Sequence, residues 1–199
     1  MASSEEAAMR EQVIAWGRKR WPGARVMHEL DVWGCRIDLA FVTTTEIIGV
    51  EIKSSKDVLD RLERQMESYL KVLPEVWLAF APKWAEHHGA PWQVGLLLVT
   101  EDSLTEHIPY GQDRSYAHAA KADMMLTAPA LDLLMKPELL ALARSHGLKV
   151  KDRATNKVLM GLLARKLTGD QIINGICAQL RARRRGWEAD EPIMHMEGA

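Results

Sequence analysis

The sequence predicts an α/β fold in which helix, three strands, helix and further strands build a mixed central sheet, followed by a small helical segment. Three observations carry that prediction. Apolar runs of strand length cluster between residues 25 and 108, stretches of helical periodicity bracket the first three of them, and from about residue 131 the pattern is helical throughout. Two of the later runs, "EVWLAFA" and "VGLLLVT", are almost unbroken by polar residues, the form taken by strands buried on both faces.

The elements follow in order. "SSEEAAMREQVIAWGRKRW" reads as a helix: Ser3 or Ser4 can cap it, Glu5 and Glu6 suit its positive end, and Arg18 to Arg20 suit its negative end. "WPG" stops it. Strands are expected at 25–32, 35–43 and 46–53, divided by Gly34 and by the Thr43-Thr44-Thr45 turn. A second helix is expected over 57–73, where Leu59, Leu62, Met66, Leu70 and Leu73 recur at three- and four-residue steps before Pro74. "PKWAEHHGAPW" is a surface turn or short helix, 104–108 a short strand, and 109–123 a polar connector. Helices then fall near 137–146, 155–167 and 169–184, the last opened by a capping box of Thr168 and Gln171. The domain reading is a core over 1–125, a basic helical module over 126–187 and a flexible acidic tail over 188–199.

The 199 residues are 47% hydrophobic and 27% charged, which suits one mid-sized domain in water, or a domain with a small appendage. No apolar run approaches the ~20 residues that cross a bilayer, so no membrane partner is expected. The acidic start lacks an apolar signal region, and Cys35 and Cys177 form no metal-spaced pair. Both point to a reducing, cytoplasmic setting. The net charge of −1 conceals a polarity: between Pro137 and Trp187 eleven Lys and Arg face three acids, leaving a deficit on everything else. A basic end on an acidic body suggests a polyanionic partner, against the plainer reading of a solvated helical face.

The stretch "CRIDLAFVTTTEIIGVEIKSSKD" carries charge where a core strand would carry none. Strand side chains alternate faces. Ile37, Leu39 and Phe41 are therefore expected on one face, with Arg36 and Asp38 on the other. Ile48, Val50 and Ile52 likewise leave Gly49, Glu51 and Lys53 opposite. If the strands pair around a turn centred between Thr44 and Thr45, Asp38 falls directly across from Glu51. Opposed Cβ atoms lie ~4.5–5.5 Å apart, so the two carboxylates repel unless something positive sits between them. A hard divalent cation, Mg²⁺ or Mn²⁺, suits such oxygens. Lys53 could then orient a water or balance a phosphate, and Gly49 would keep the face open. The competing reading is that both acids point into solvent from a one-sided sheet.

Asp38 in "RIDLA", followed by Glu51-Ile52-Lys53 in "GVEIKSS" on the neighbouring strand and after a first helix, resembles the PD-(D/E)XK nuclease superfamily. Gln65 and Tyr69 in "RLERQMESY" match the Gln-x-x-x-Tyr pattern of its RecB-type and lambda-exonuclease-type members. The layout over residues 5–108 is also similar to the bacterial and phage subgroup that includes MmcB-like DNA-repair proteins. The resemblance implies a restriction-endonuclease-like αβββαβ core. It also implies Mg²⁺, with Mn²⁺ able to substitute, held by Asp38, Glu51 and the carbonyl of Ile52, with Lys53 serving the attacking water. The pattern departs from many relatives in lacking Pro before Asp38. Its earlier acid is Glu29 or Glu11, with Glu29 preferred.

Arg61, Gln65 and Tyr69 are successive i,i+4 positions and form one helical stripe. A guanidinium, an amide and a phenol in line could track a phosphate backbone; alternatively Tyr69 packs in the core. "PELLALARSHGLKVKDRATNKVLMGLLARKL" reads as a helical pair, with Leu139, Leu140, Leu142 and Ala143 facing Val158, Leu159, Leu162 and Leu163. It loosely resembles SAP-type DNA-binding hairpins. Arg153, Lys157, Lys166, Arg181, Arg183, Arg184 and Arg185 would form its phosphate-contacting rim, against the alternative of a helical cap on the sheet. Trp16, Trp77 and Trp92 fit core or core-edge positions. Trp33, Trp84 and Trp187 offer either base stacking or a domain seam. His87 and His88 are given no role. No Gly-x-Ser-x-Gly elbow or phosphate-binding Gly loop is present, which removes the support for a hydrolase triad or for ATP-driven chemistry. The expectation is a divalent-metal-dependent nuclease acting in repair, recombination or phage DNA metabolism, on DNA in preference to RNA. The alternative is a catalytically silent nucleic-acid-binding or phage–host interaction protein on the same fold. Monomer and homodimer both stay open.

Overall fold

A computed structural model describes residues 4–86, 89–107 and 127–184. Helix α1 (Ser4–Arg20) opens with Glu5 and Glu6, closes with Arg18, Lys19 and Arg20, and buries Met9, Val13 and Gly17. Strands β1 (Arg25–Val32), β2 (Cys35–Val42) and β3 (Ile47–Lys53) follow. Next come helix α2 (Leu62–Leu70) and strands β4 (Glu75–Phe80), β5 (Gly95–Val99) and β6 (Leu104–His107). The six strands lie side by side in chain order. β1, β2 and β3 are antiparallel, β3, β4 and β5 parallel, and β6 antiparallel at the edge. This is the mixed α/β sheet that the apolar runs predict.

Helix α2 is shorter than its periodicity suggests. The Asp57 carboxylate accepts from the N–H and the hydroxyl of Ser54, both at 2.7 Å. That local turn competes with helix, as short acidic side chains do. A second turn, from the Leu62 N–H to the Leu59 carbonyl at 2.8 Å, delays the start further.

Helix α1 covers one face of the sheet, over Leu39, Phe41, Ile48, Val50, Ile52 and Leu97. Helix α2 and the C-terminal helices cover the other, over Ile37, Ala40, Val42, Ile47 and Leu78. Ile48, Val50 and Ile52 share a face as alternation requires. Ile37 does not share one with Leu39 and Phe41, because the alternation breaks at Asp38. On the paired strand β1, Met27 and Leu30 likewise share a face, and Glu29 between them has a φ of 53°. The register is unbroken on either side, from His28↔Leu39 to Leu30↔Ile37. Both strands therefore kink at the same rung, which re-aims the side chains there, as bulges do.

The C-terminal helices are α3 (Thr127–Ala130), α4 (Lys136–Ser145), α5 (Asn156–Lys166) and α6 (Gly169–Ala182). The Thr168–Gln171 box forms as expected, with N–H donors reaching side-chain oxygens at 3.3 and 2.9 Å. Leu139, Leu142, Leu159, Leu163, Ile172 and Leu180 join the same buried cluster as Met27, Val42 and Ile47, so these helices share the core of the sheet. Arg25 donates to the carbonyls of Leu180 (2.5 Å) and Arg181 (3.0 Å), while Arg181 donates to those of Gly23 (2.9 Å) and Val42 (3.0 Å). Val158 is 59% exposed and Trp92 51% exposed, so neither takes the packed position expected of it; Leu159 and Leu163 close the helical interface instead. Trp77 is buried beside the half-buried Trp16. The connector 109–123, the boundary between 125 and 126, the tail 188–199, His87, His88 and Trp187 lie outside the described residues.

Candidate functional site

The ladder between β2 and β3 runs from Val42↔Ile47 to Leu39↔Val50 and ends there. The register is the one that the turn-centred pairing predicts, but the ladder stops one rung short of Asp38 and Glu51. In place of a ladder bond, the Asp38 Oδ2 accepts the Ile52 N–H at 2.7 Å. The β1–β2 hairpin thus departs from β3 at a carboxylate. The Lys53 carbonyl faces the β4 side, where it accepts from the Ala81 N–H at 2.9 Å. Carbonyls alternate sides along a strand, so that of Ile52 faces the β2 side, with Asp38.

Glu51 is buried, 2% exposed, and three donors surround its carboxylate. Lys53 Nζ lies 2.6 Å and Gln65 Nε2 2.7 Å from Oε1. The Tyr69 hydroxyl lies 2.8 Å from Oε2 and 2.6 Å from the Arg36 carbonyl. A phenol has one proton to donate, so it donates to one of these two acceptors at a time. Burial, and then the Glu51 charge, push the Tyr69 pKa upward, which keeps it a donor. Gln65 and Tyr69 therefore hold the acid, and Tyr69 is fully buried. This differs from their expected place on a substrate-tracking stripe: α2 presents that edge to Glu51 rather than outward. Arg61, just before α2, is exposed.

Asp38 is pushed up to about 7, first by burial and then by the Glu51 charge; the Ile52 N–H, Arg10 and Lys53 pull it the other way. Arg10 is the residue that sequence reasoning misses. Its Nη2 lies 3.3 Å from Asp38 Oδ1, 3.3 Å from Glu29 Oε1 and 3.4 Å from Glu6 Oε1, and its Nη1 donates to the Asp38 carbonyl at 2.8 Å. Only the Glu6–Arg10 spacing was visible in the chain. Glu29 thus reaches the edge of the site through Arg10, whereas Glu11 is exposed on α1.

Gly49 does not open this face. A Cβ there would overlap the Cδ1 atoms of both Ile37 and Leu73, so its bareness admits core side chains, that of Ile37 being turned to this face by the kink. Beyond Lys53 the chain is pinned. Ser55 donates through its N–H (3.1 Å) and hydroxyl (2.5 Å) to Glu5, Lys83 Nζ to the Ser55 carbonyl at 2.9 Å, and Trp84 Nε1 to that of Ser54 at 2.9 Å. Trp84 is thereby committed to the fold. Among the described residues no group of three or more His, Cys, Asp or Glu side chains converges on one point; the oxygens at hand are two carboxylates and a carbonyl.

Of the expected basic rim, Arg153, Lys157, Lys166 and Arg184 are exposed and Arg185 lies outside the described residues. Arg183 is turned inward. Its Nε and Nη2 each lie 2.6 Å from a Glu138 oxygen, and Nη2 also donates to the Leu133 carbonyl at 2.7 Å. With Arg181 bound to backbone carbonyls, two of the rim residues serve the fold. A long cation near a helix C-terminus satisfies buried oxygens as readily as it meets phosphate.

The fold and this cluster define the protein's class: an α/β chain whose mixed sheet carries carboxylates and an amine at the C-terminal end of a parallel strand, where such sheets receive ligands. The sequence profile of the family described as bacteriophage P4 protein cII matches residues 1–185. The chain belongs to that phage-protein family. A solved protein of unknown function from Silicibacter pomeroyi is similar at 18% identity with a TM-score of 0.43, over 75% of this chain and 99% of its own. No curated protein matches the chain. No described helix is long and apolar enough to cross a membrane.

Proposed function

We propose that this protein is a divalent-metal-dependent nuclease of the PD-(D/E)XK type, acting on DNA in preference to RNA. One observation carries the reading: Asp38, Glu51 and Lys53 come together where β2 leaves β3, with the half-buried Asp38 pushed up to about 7 by desolvation and by the Glu51 charge. Two carboxylates brought together beside a backbone carbonyl at the end of a strand ladder have the chemistry of a cation site. The donor set fits Mg²⁺, or Mn²⁺, which take few protein oxygens and keep water. Asp38, Glu51 and the Ile52 carbonyl would hold it, with Glu29 at the margin. When bound, the cation supplies charge neutralisation and Lewis acidity toward a phosphodiester. The chain's own groups do the rest. Lys53 holds Glu51 in place and can orient a water or meet phosphate charge, Gln65 and Tyr69 fix the Glu51 rotamer, and Arg10 balances Asp38. The exposed Arg153, Lys157, Lys166 and Arg184 offer sequence-independent contacts to phosphates.

A second reading has its own observation. Glu51 has three donors and Asp38 has Arg10 and the Ile52 N–H, so protein groups alone go far toward satisfying the pair. That favours a catalytically silent nucleic-acid-binding or phage–host interaction protein.

One assay separates the two. Wild type, Lys53→Ala and Asp38→Asn are incubated with labelled single- and double-stranded DNA and RNA in Mg²⁺, Mn²⁺ or EDTA. Expected are metal-dependent cleavage by wild type and a loss of about 10²-fold or more in each variant. Equal residual cleavage in all three would mark a contaminant and remove the enzymatic reading. Salt-sensitive binding without cleavage would favour the silent protein.

A further inference from the structure

We infer that Trp33, at the tip of the β1–β2 hairpin, is a stacking platform for an unpaired base of a nucleic-acid strand lying across the Asp38–Glu51 site. The inference rests on the nucleic-acid reading above and adds where a base is held. Val32 and Cys35 pair, leaving Trp33 and Gly34 as a two-residue turn with φ of 48° and 74°. Such a turn needs positive φ at both positions and favours Asn-Gly or Gly-Gly; a bulky aromatic is out of place in it. Burial does not compensate, since Trp33 is 43% exposed. Among the described non-glycine residues with positive φ, the other is Glu29, at the kink on the same hairpin. Both unusual backbone positions therefore belong to the arm that carries Asp38.

The arm is held against the site. Cys35 Sγ lies 3.5 Å from Ser68 Oγ, and the Arg36 carbonyl accepts from Tyr69, the residue that also contacts Glu51. Cys35 stands three residues from Asp38, ~10 Å at ~3.3 Å per residue, a span of about three stacked nucleotide steps at ~3.4 Å. Arg36, on the same hairpin, has its side chain 58% exposed and its Nε 3.5 Å from Asp31 Oδ1, so its charge is shared with that carboxylate. An exposed indole at the tip of a hairpin anchored to the site is the chemistry that receives single-stranded bases without sequence preference.

The test uses the full chain in EDTA, so that cleavage plays no part. Trp33→Asn and Trp33→Phe are compared with wild type by anisotropy on a labelled single-stranded DNA and on an oligomer of abasic sugars, alongside thermal melts. Trp33→Asn should fold at least as stably as wild type, because Asn-Gly suits the turn. It should bind the base-containing strand about 5- to 150-fold more weakly, bind the abasic oligomer unchanged, and be rescued by Phe. Unchanged affinity of Trp33→Asn for the base-containing strand would overturn the platform while leaving nucleic-acid binding intact. Wild type binding neither oligomer would overturn the nucleic-acid reading and the platform with it. A change in sedimentation confined to Trp33→Asn would reassign the indole to self-association.

Discussion

Asp38 shows what a single burial costs when its neighbour has the same sign. Its folded pKa of about 7 lies above the ordinary 3.8, so the fold binds this proton more tightly than the unfolded chain does. Its stabilising contribution is complete below pH 3.8 and is lost as pH rises through about 7. In EDTA the melting temperature of wild type should therefore fall relative to Asp38→Asn between pH 5 and 8. If the site holds Mg²⁺ as proposed, the cation should raise the wild-type melt more at pH 8 than at pH 5.5, since cation and proton would compete for the same oxygens. Parallel pH curves for the two proteins would refute the linkage. Tyr69 makes a complementary case. Phe at that position removes the donor from Glu51 and from the Arg36 carbonyl together, which should cost about 1–3 kcal/mol. If the protein binds nucleic acid as proposed, that affinity in EDTA should hold, because Tyr69 touches protein rather than solvent; a loss of affinity at unchanged stability would place Tyr69 against the bound strand.

Among the elements, the β1–β2 hairpin and helix α6 show how side chains replace regular bonding at element ends. Asp38 takes over where the β2–β3 ladder stops, and the Thr168 box begins α6. The far end of α6 is fixed by the Glu138–Arg183 pair. Breaking a buried pair leaves an uncompensated charge, so Arg183→Met should destabilise by about 3–5 kcal/mol, with much of the loss recovered when Glu138→Leu is added. Additive losses in chemical denaturation would mean that the pair does not act as a unit. On β3, Gly49→Ala should cost about 1–3 kcal/mol through overpacking against Ile37 and Leu73. Strand existence was legible from apolar runs, and the observed bounds of β1, β2 and β3 lie within a residue of the expected ones. The kink was not, because alternation gives no sign of where two paired strands turn over together.

For the whole molecule, the helical segment beyond residue 126 was legible as basic and helical, and its sharing of the sheet's core was not. Removing it would expose Val42, Ile47 and their neighbours, so truncation would report unfolding in place of lost affinity. Charge neutralisation is the informative change. If the exposed bases contact duplex phosphates, Lys157→Gln with Lys166→Gln should lower the slope of log K against log salt by about 0.9 for each contact removed, with the melt unchanged. An unaltered slope would leave these helices as a cap on the sheet. Arg183→Lys, by contrast, should affect stability and not the salt slope.

What the sequence determined by itself is the order of elements, the register of the β2–β3 pairing, and the presence of Lys53, Gln65 and Tyr69 at helical and strand spacings. Those depend on local periodicity, which a chain carries in its own letters. Tertiary structure alone decided that Arg10 faces three acids, that Gln65 and Tyr69 grip Glu51, and that Arg181 and Arg183 turn inward. It also decided that Ile37 fills the space Gly49 leaves. A long side chain reaches across elements, and which oxygen it meets depends on how helices and sheet are stacked; no spacing along the chain encodes that distance.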